Sequence, residues 1–407
     1  MRIVVLKRLK AMPSVHDTRN IGVRGSASGT SGPTDEVRVE IVDDVSRKDV
    51  ADLQRDPTVE AVATSMPIRL IRPAARIAAA SAAATRGGAA WGVEAVGALS
   101  ASRTGLGVKV AILDTGIETT HPAFSGLTFN GFNTRNFTGT GTVEDVHDED
   151  GHGTHCAGTI FGRHVNGMRI GVAPGVSEVL IAKVIGKDGG GFEGIADAVQ
   201  WAYAHGAHIL SMSLGMDFDA HLAALQAQDG MPRAQATSQA LVDYGSCVRL
   251  FDRLCEFVAD RNDTQRGMLI VAAAGNESDR PKCVVTVPPP ADAFGIVSVA
   301  AVGRSMADTG GKYFVAPFSN RGAHFCAPGL QIVSAGLEGG LATMDGTSMA
   351  APHVAGVAAL WAEPRVAASR YGIVRRGQLL EDIRRSTCSF PHLGSDDVGE
   401  GFVMAPQ

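Results

Sequence analysis

Short, continuous apolar runs bounded by turn residues recur along the chain after Gly107. Val108–Leu113, Val179–Ile185, Ala207–Met212, Met268–Ala273 and Ile296–Ala301 are such runs, and the first ends at Asp114. Between several of them lie stretches with apolar residues at helical spacing, Gly194–His205 among them. Strands that are apolar on both faces and alternate with helices predict an α/β fold whose mostly parallel central sheet is covered by helices on both sides. In such sheets functional groups gather at the carboxyl ends of the strands.

The pattern upstream is different. Residues 17–34 (DTRNIGVRGSASGTSGPT) are polar and Gly/Ser-rich and predict a loop. Val37–Val42 alternates like a strand, Ser46–Gln54 reads as a short helix with Ser46 as its N-cap, and Val59–Ile71 returns to strand-like patterning. Together they predict a small β-α-β unit. Pro73–Ala90 (PAARIAAASAAATRGGAA) is an Ala-rich tract compatible with helix or extended chain, and open to cleavage where exposed. The chain is therefore expected to divide near residue 88, into an α+β segment over 1–88 and an α/β domain over 89–407.

The chain has 407 residues, 45% of them hydrophobic and 19% charged. That is apolar enough for a full-sized core and argues against intrinsic disorder. With 37 Lys+Arg against 42 Asp+Glu the formal net charge is −5. This disfavours nucleic-acid binding, which needs a basic face. No run approaches the ~18 apolar residues of a membrane span. Residues 1–88 carry a net +4 and the remainder −9, so the two segments can attract each other. The 49 glycines point to many tight turns and close backbone approaches.

The six scattered cysteines make neither a disulfide scaffold nor a CxxC zinc pattern. If Cys247 and Cys255 share a helix they stand about 12 Å apart along its axis, out of bridging range. Mostly reduced thiols fit a cytosolic compartment. The opening MRIVVLKRLKAMPSVHDTRN has no apolar stretch or small-residue cleavage site of a secretory leader. A cytoplasmic location is expected, with leaderless export as the exported alternative.

Four features can carry chemistry, and each has a plainer reading. Asp114, ending its strand in VAILDTGI, is either a cap before the Thr-Gly turn or a functional carboxylate. His152 in DEDGHGTHCAGT is a polar or core histidine, a base, or half of a metal pair with His155. The i, i+3 spacing lacks the glutamate of an HExxH site, and Gly153 between the two favours tight backbone packing. Ser348 in DGTSMAAPHVAG follows Gly346 at the start of a helix, where a serine either caps or acts as a nucleophile with helix N–H groups holding an oxyanion. Asn276 in VAAAGNES is a turn residue or an amide donor to developing negative charge. Together they change the picture. A hydroxyl needs a neighbouring base to become a nucleophile, and a histidine base needs a carboxylate to fix its tautomer.

The segments VAILDTGI, GHGTHCAGT and GTSMAAPHVAG, in the order Asp, His, Ser, resemble the three active-site signatures of the subtilases, the subtilisin-like serine proteases. HGTHCAGT is most similar to the branch containing proteinase K. The resemblance extends to SMSLG (Ser211–Gly215), AAAGN (Ala272–Asn276), WGVEAVGA (Trp91–Ala98) and GEGFVMA near the C-terminus, and so covers roughly residues 90–405. It implies a subtilisin-like three-layer fold. It implies Ser348 as nucleophile, His152 as general base then acid, Asp114 as its orienting carboxylate, and Asn276 with the Ser348 backbone N–H as oxyanion donors. Ser213, Leu214 and Gly215 on one side and Ala273, Ala274 and Gly275 on the other would pair with an extended peptide and wall the first specificity pocket.

The resemblance also implies that residues 1–88, notably DVADLQRDPTVEAVATSMPIRLI, form a propeptide that assists folding and occupies the cleft as an intramolecular inhibitor until cut. The last residues of the Ala-rich tract would lie in the cleft, and the mature chain would begin near Ala89–Trp91. Two departures from the family stand out. HPAF (His121–Phe124) has Ala123 where the family has an aspartate calcium ligand, and GRHVNGMRIGVAP lacks the usual Asn-rich run. A structural calcium stays open as an alternative, but the usual tight site is expected to be degraded, with no metal ligand assigned and no cofactor needed for catalysis. Gly215 and Ala272 are 57 positions apart where the family has one helix, so an insertion over about 217–266 is expected. Its Ala236–Ala259 reads as an amphipathic helix, either surface decoration or a cleft-side element that narrows substrate choice or holds a partner.

The function implied is a self-processing serine endopeptidase acting on peptides or proteins, with no nucleic-acid or membrane partner. The rivals are a peptide ligase or macrocyclase on the same fold and a non-catalytic peptide-binding scaffold. The intact Asp114, His152, Asn276 and Ser348 argue against the scaffold. Cys156, four residues after His152, would share its helix face.

Overall fold

A computed structural model describes residues 1–9, 36–78, 88–227, 230–259, 267–305 and 313–407. The Gly/Ser-rich stretch 17–34 and the middle of the Ala-rich tract, 79–87, lie outside the described residues.

The N-terminal unit is β1 (Ile3–Leu9), β2 (Glu36–Val42), α1 (Arg47–Leu53) and β3 (Val59–Thr64), an antiparallel sheet in the order β2-β1-β3. Ser46 caps α1 as expected. Its Oγ accepts the Asp49 N–H while the Asp49 carboxylate accepts the Ser46 N–H, a capping box worth about 1 kcal/mol. The predicted β-α-β unit lacks its middle strand, because the sequence reading missed β1. Ile3, Val4, Val5 and Leu6 are all buried. Ile3 and Val5 pack with Val45 and Val62, whereas Val4 and Leu6 join the main core. A strand covered on both faces shows no alternation and leaves little periodic signal. The predicted run Val59–Ile71 also divides, into β3 and β4 (Pro67–Leu70), and β4 leaves the small sheet. After it comes β5 (Ala75–Ala78).

The large domain opens with α2 (Trp91–Ala95) and continues with β6 (Lys109–Asp114), β7 (Thr134–Asn136), α3 (His152–Phe161) and the hairpin β8 (His164–Val165) and β9 (Met168–Arg169). Next are β10 (Glu178–Lys183), β11 (Gly190–Gly191), α4 (Phe192–Ala204), β12 (Ile209–Met212) and β13 (Leu214–Met216). The insertion forms α5 (Phe218–Ala227) and α6 (Arg233–Val258). The chain then runs through β14 (Leu269–Ala273), β15 (Ile296–Arg304), β16 (Tyr313–Val315), β17 (Phe325–Pro328), β18 (Ile332–Ala335), β19 (Leu341–Asp345), α7 (Thr347–Ala368) and α8 (Arg376–Ser386).

The predicted apolar runs are the heart of one sheet, ordered β16-β15-β14-β12-β6-β10-β7, with β17 also on β15. Every pairing in it is parallel except β15 with β16. The pairs α3/α7 and α4/α6 cover the sheet, completing three layers. Residues 347–360 of α7 are buried without exception, so its apolar character runs all the way round, as befits a helix in the core.

The predicted insertion helix is α6, and it is more than surface decoration, for it holds the chain's own N-terminal unit. It packs on α4, α5 and β3, so the N-terminal sheet rests on α4 and α6. Cys247 Sγ donates to Thr64 O at 3.2 Å. The Gln200 side chain of α4 imitates a neighbouring strand, accepting from the Val39 N–H and donating to Val37 O. Arg2 bridges Asp43 (2.6 Å) and Glu193 (3.0 Å) in the first turn of α4. All six cysteines are free. No helix among the described residues is long and apolar enough to cross a membrane.

Candidate active site

Asp114 is the last residue of β6, His152 the first of α3 and Ser348 the second of α7, while Asn276 lies in the turn after β14. Asp114 and Asn276 thus stand at the carboxyl ends of β6 and β14, two parallel strands with β12 between them, and the starts of α3 and α7 bring His152 and Ser348 to the same rim, joining four residues spread over 235 positions of sequence. His152 Nδ1 lies 2.7 Å from Asp114 Oδ1, and both side chains are buried. Gly153 lets α3 close onto this strand end, because a Cβ there would strike the Gly116 backbone. Burial disfavours a charged His152, but the charge and hydrogen bond of Asp114, helped by Cys156, raise its pKa well above the ordinary 6.5. The two histidines of the HGTH segment are not a metal pair. His155 turns its Nε2 to Ile332 O at 3.0 Å, and burial lowers its pKa to about 3.

Sequence reasoning missed Asp148, which braces the site. Its carboxylate accepts from the Thr115 hydroxyl (2.8 Å), the Thr154 hydroxyl (2.7 Å) and the N–H groups of Gly151 and Thr154 (2.8 Å each). The end of β6 is thereby tied to the start of α3. Burial works against its charge, yet these bonds hold its pKa below the ordinary value. The available signal was an acid four residues before His152 in DEDGH.

Asn276 is oriented by its oxygen. Oδ1 accepts the Thr347 N–H and hydroxyl, both at 2.9 Å, which turns the Nδ2 donor into the cleft. Gly346 permits this approach, since a Cβ there would stand 3.0 Å from that nitrogen. Cys156 is buried beside the histidine, with Sγ 3.8 Å from His152 Nδ1 and donating to Ser348 O at 3.4 Å. Burial pushes its thiol up to about 11. Among the described residues, Asp114, His152 and Cys156 make the one trio spaced to hold a metal ion. Its mixed O, N and S donors do not suit calcium, which takes oxygen. At HPAF, His121 caps the turn Pro122–Phe124 by accepting the Ala123 N–H.

A peptide already lies across these residues, and it is the chain's own. Antiparallel β4 is the middle strand between β11 and β13, pairing Leu70 with Leu214, Arg69 with Gly215 and Ile68 with Met216. The Ile71 N–H donates to Ser213 O at 3.3 Å. Ser348 Oγ donates to Ile71 O at 2.9 Å, and Asn276 Nδ2 to Arg72 O at 2.9 Å. Beyond the site, β5 pairs with β19. His152 Nε2, the nitrogen that a serine base must use, has no hydrogen-bond partner.

Two expectations are corrected here. The strand in the cleft is Pro67–Ala78 rather than the end of the Ala-rich tract, which pairs elsewhere: the Ala90 N–H donates to Arg169 O, and the Trp91 indole to Leu330 O. Ile68, Leu70 and Ile71 are buried with Arg69 exposed between them, a pattern that Ala89–Ala90 cannot offer a groove. The second edge also differs. Ala274 donates its N–H to Val299 O and Gly275 to Thr347 Oγ1, so Ala273–Gly275 stay tied to their own domain rather than pairing with the peptide.

The family model described as the Subtilase family matches residues 105–371. The chain belongs to the subtilase family. That places it among the serine proteases, on the three-layer α/β fold described above. This subtilase is 33% identical over 260 residues to the "Major intracellular serine protease" of Bacillus subtilis (strain 168), covering 63% of this chain and 68% of that one. It is 34% identical over 279 residues to "Subtilisin BL" of Lederbergia lenta, covering 66% and 82%. A third relative, the "Thermostable alkaline protease" of Halalkalibacterium halodurans, is 28% identical over 372 residues, covering 89% and 81%.

Proposed function

We propose that this subtilase is a serine endopeptidase that forms an acyl-enzyme on Ser348 and is made as a self-inhibited zymogen. The observation that carries the reading is the peptide strand already held between β11 and β13, with the Ser348 hydroxyl on its Ile71 carbonyl. In the productive state Ser348 Oγ attacks a substrate carbonyl carbon while His152 Nε2 takes its proton. Asp114 holds the imidazole and its charge, and Asn276 Nδ2 with the Ser348 N–H binds the oxyanion. His152 then gives the proton to the leaving amine, and water repeats the sequence to release the acid. Ser213, Leu214 and Gly215 pair with the substrate main chain. Ala273, Ala274 and Gly275 wall the pocket beside it. No step calls for a metal or other cofactor.

The N-terminal segment acts as intramolecular inhibitor. Ser348 spends its donor on Ile71 O and Asn276 spends its own on the next carbonyl, Arg72 O, which leaves His152 Nε2 without the serine. The Ile71 N–H on Ser213 O and the Ile71 carbonyl on Ser348 Oγ assign self-processing to Ile71–Arg72, and cutting there requires the Ile71 carbonyl to replace Arg72 O on Asn276, so the strand as held is an inhibitor rather than a poised substrate. Free thiols at all six cysteines support a cytoplasmic site of action. The test is intact mass together with hydrolysis of a reporter peptide. Wild type should yield a fragment beginning at Arg72 and release the peptide's free acid, while Ser348→Ala stays full length and inert. A Ser348→Ala protein that still hydrolyses the peptide would sink the proposal, and an amine-capped product would favour a ligase.

A further inference from the structure

Past the nucleophile the inhibitory segment stays on the enzyme. Pro73 has no N–H to give, but the Ala74 N–H donates to Asp345 O at 2.7 Å, and Ala75–Ala78 then runs antiparallel to β19 as β5. The register is unbroken: Ala75 faces Asp345, Arg76 faces Met344, Ile77 faces Thr343 and Ala78 faces Ala342. Counted from Ile71, whose carbonyl meets Ser348, β5 holds the fourth to seventh residues on the carboxyl side. None of the catalytic steps uses this pairing.

β19 is the middle strand between β18 and β5. Main-chain groups of successive strand residues point to alternate neighbours. Gly340 O accepts the Gly336 N–H across the β18–β19 turn, so positions 340, 342 and 344 address β18. That leaves Leu341, Thr343 and Asp345 addressing β5, as the Asp345 carbonyl on Ala74 bears out. The side chains of Ala342 and Met344 are buried with those of Cys156, Ile332 and Met349, which pins the strand against α3 and α7. Its end at Asp345 stands three residues before Ser348. Without β5 this edge would be bare. Sheets commonly blunt a bare edge with lysine, proline or a bulge, and Leu341–Asp345 (LATMD) carries none of them.

We infer that the β5-facing edge of β19 is a docking edge for substrate, pairing with the main chain four to seven residues beyond the one whose carbonyl is attacked, and that β5 occupies it as a substrate would. The partner it fits is a polypeptide that runs on as open, extended chain well past the cut, since main-chain pairing asks little of side chains. The inference rests on the endopeptidase reading above. Its test is a one-pot competition among three forms of one amide-capped peptide, with products read by mass. One form ends three residues past the cut, one ends seven past it, and one ends seven past it with the last four amides N-methylated. The ratio of initial rates equals the ratio of kcat/KM, whatever fraction of the enzyme has an open cleft.

Wild type should prefer the long form to the short one roughly tenfold, the worth of about two main-chain hydrogen bonds, and N-methylation should abolish that preference. Thr343→Pro removes an N–H from the docking edge and spares the pairing with β18, and should bring the long form to within about twofold of the short. Ile77→Pro weakens the chain's own strand instead, and should speed all three forms while keeping the preference for the long one. A β19 that merely supports the nucleophile would make Thr343→Pro slow the three forms alike, with the ratios unchanged, and that result would overturn the docking edge. Should Thr343→Pro fail to fold, the wild-type comparison of the long form with its N-methylated twin decides alone. Equal wild-type rates for the three forms would overturn the docking edge while leaving the endopeptidase standing. Hydrolysis of none of them would overturn the endopeptidase reading and the docking edge with it.

Discussion

Removing the Asn276 side chain tests the oxyanion assignment and separates its two functions. The Oδ1 half is structural, taking the Thr347 N–H and hydroxyl at the start of α7. The Nδ2 half faces the cleft, where it holds Arg72 O of the inhibitory strand. Asn276→Ala deletes both halves, whereas Asn276→Asp keeps the acceptor and loses the donor. For Ala, two donors at the buried helix start go unpaired, costing about 1–3 kcal/mol of stability. For Asp, stability should change little. Both variants lose one hydrogen bond to the inhibitory strand, about 0.5–1.5 kcal/mol, which opens the cleft roughly two- to tenfold more often. Both also lose the transition-state donor, about 3–4 kcal/mol or 10²–10³ in kcat. The catalytic loss outweighs the gain in open enzyme, and Asp should be the slower of the two because its charge repels the oxyanion. The assays are single-turnover acylation by an activated ester and thermal unfolding of each variant. A kcat for Asn276→Ala within about threefold of wild type would refute the assignment; the 10²–10³ expectation leaves no room for it.

The remaining predictions concern His152 and its neighbour. Because the His152 pKa is raised in the folded, occluded state, its imidazolium adds stability that is fully present below the unfolded value of about 6.5 and is lost as pH rises through the folded one. Catalysis needs the neutral base, so kcat/KM should rise with pH along an acid limb displaced above the ordinary histidine range. Imidazole NMR of Ser348→Ala should show the same midpoint in the occluded protein, and Asp114→Asn should lower it; a midpoint unmoved by Asp114→Asn contradicts the stated cause. A mercurial at Cys156, whose Sγ lies 3.8 Å from His152 Nδ1, should displace the imidazole and reduce activity. Full activity after stoichiometric modification mapped to Cys156 would show that the thiol merely fills space.

Much of the candidate site was legible because its signals are local. An apolar strand that stops at an acid, a His between glycines at a helix start and a Ser after Gly at another helix start each need only a few consecutive residues. The parallel sheet sets the ends of β6 and β14 on one rim, and Ser348 reaches that rim from the antiparallel strand β19 at the start of α7. The α1 capping box and the insertion helix α6 were likewise written in spacing and cap residues. The site residue the sequence missed acts through a partner far along the chain. Asp148 is distinguished by the Thr115 hydroxyl it receives, 33 positions away.

By itself, then, the sequence determined the central strands and helices of the large domain, the helices α1 and α6, and which side chains stand at their ends, since propensity, capping and apolar period depend on near neighbours. Tertiary structure alone decided that β1 is the centre of the small sheet, that α6 is a seat for that sheet, and that Pro67–Ala78 rather than the Ala-rich end of the tract threads the cleft. Strand pairing is chosen by competition among all exposed edges. Pro67–Leu70 wins the edges of β11 and β13 because its register also buries Ile68 and Leu70 and sets Arg69 against Glu277, contacts made across 208 positions that no local window contains.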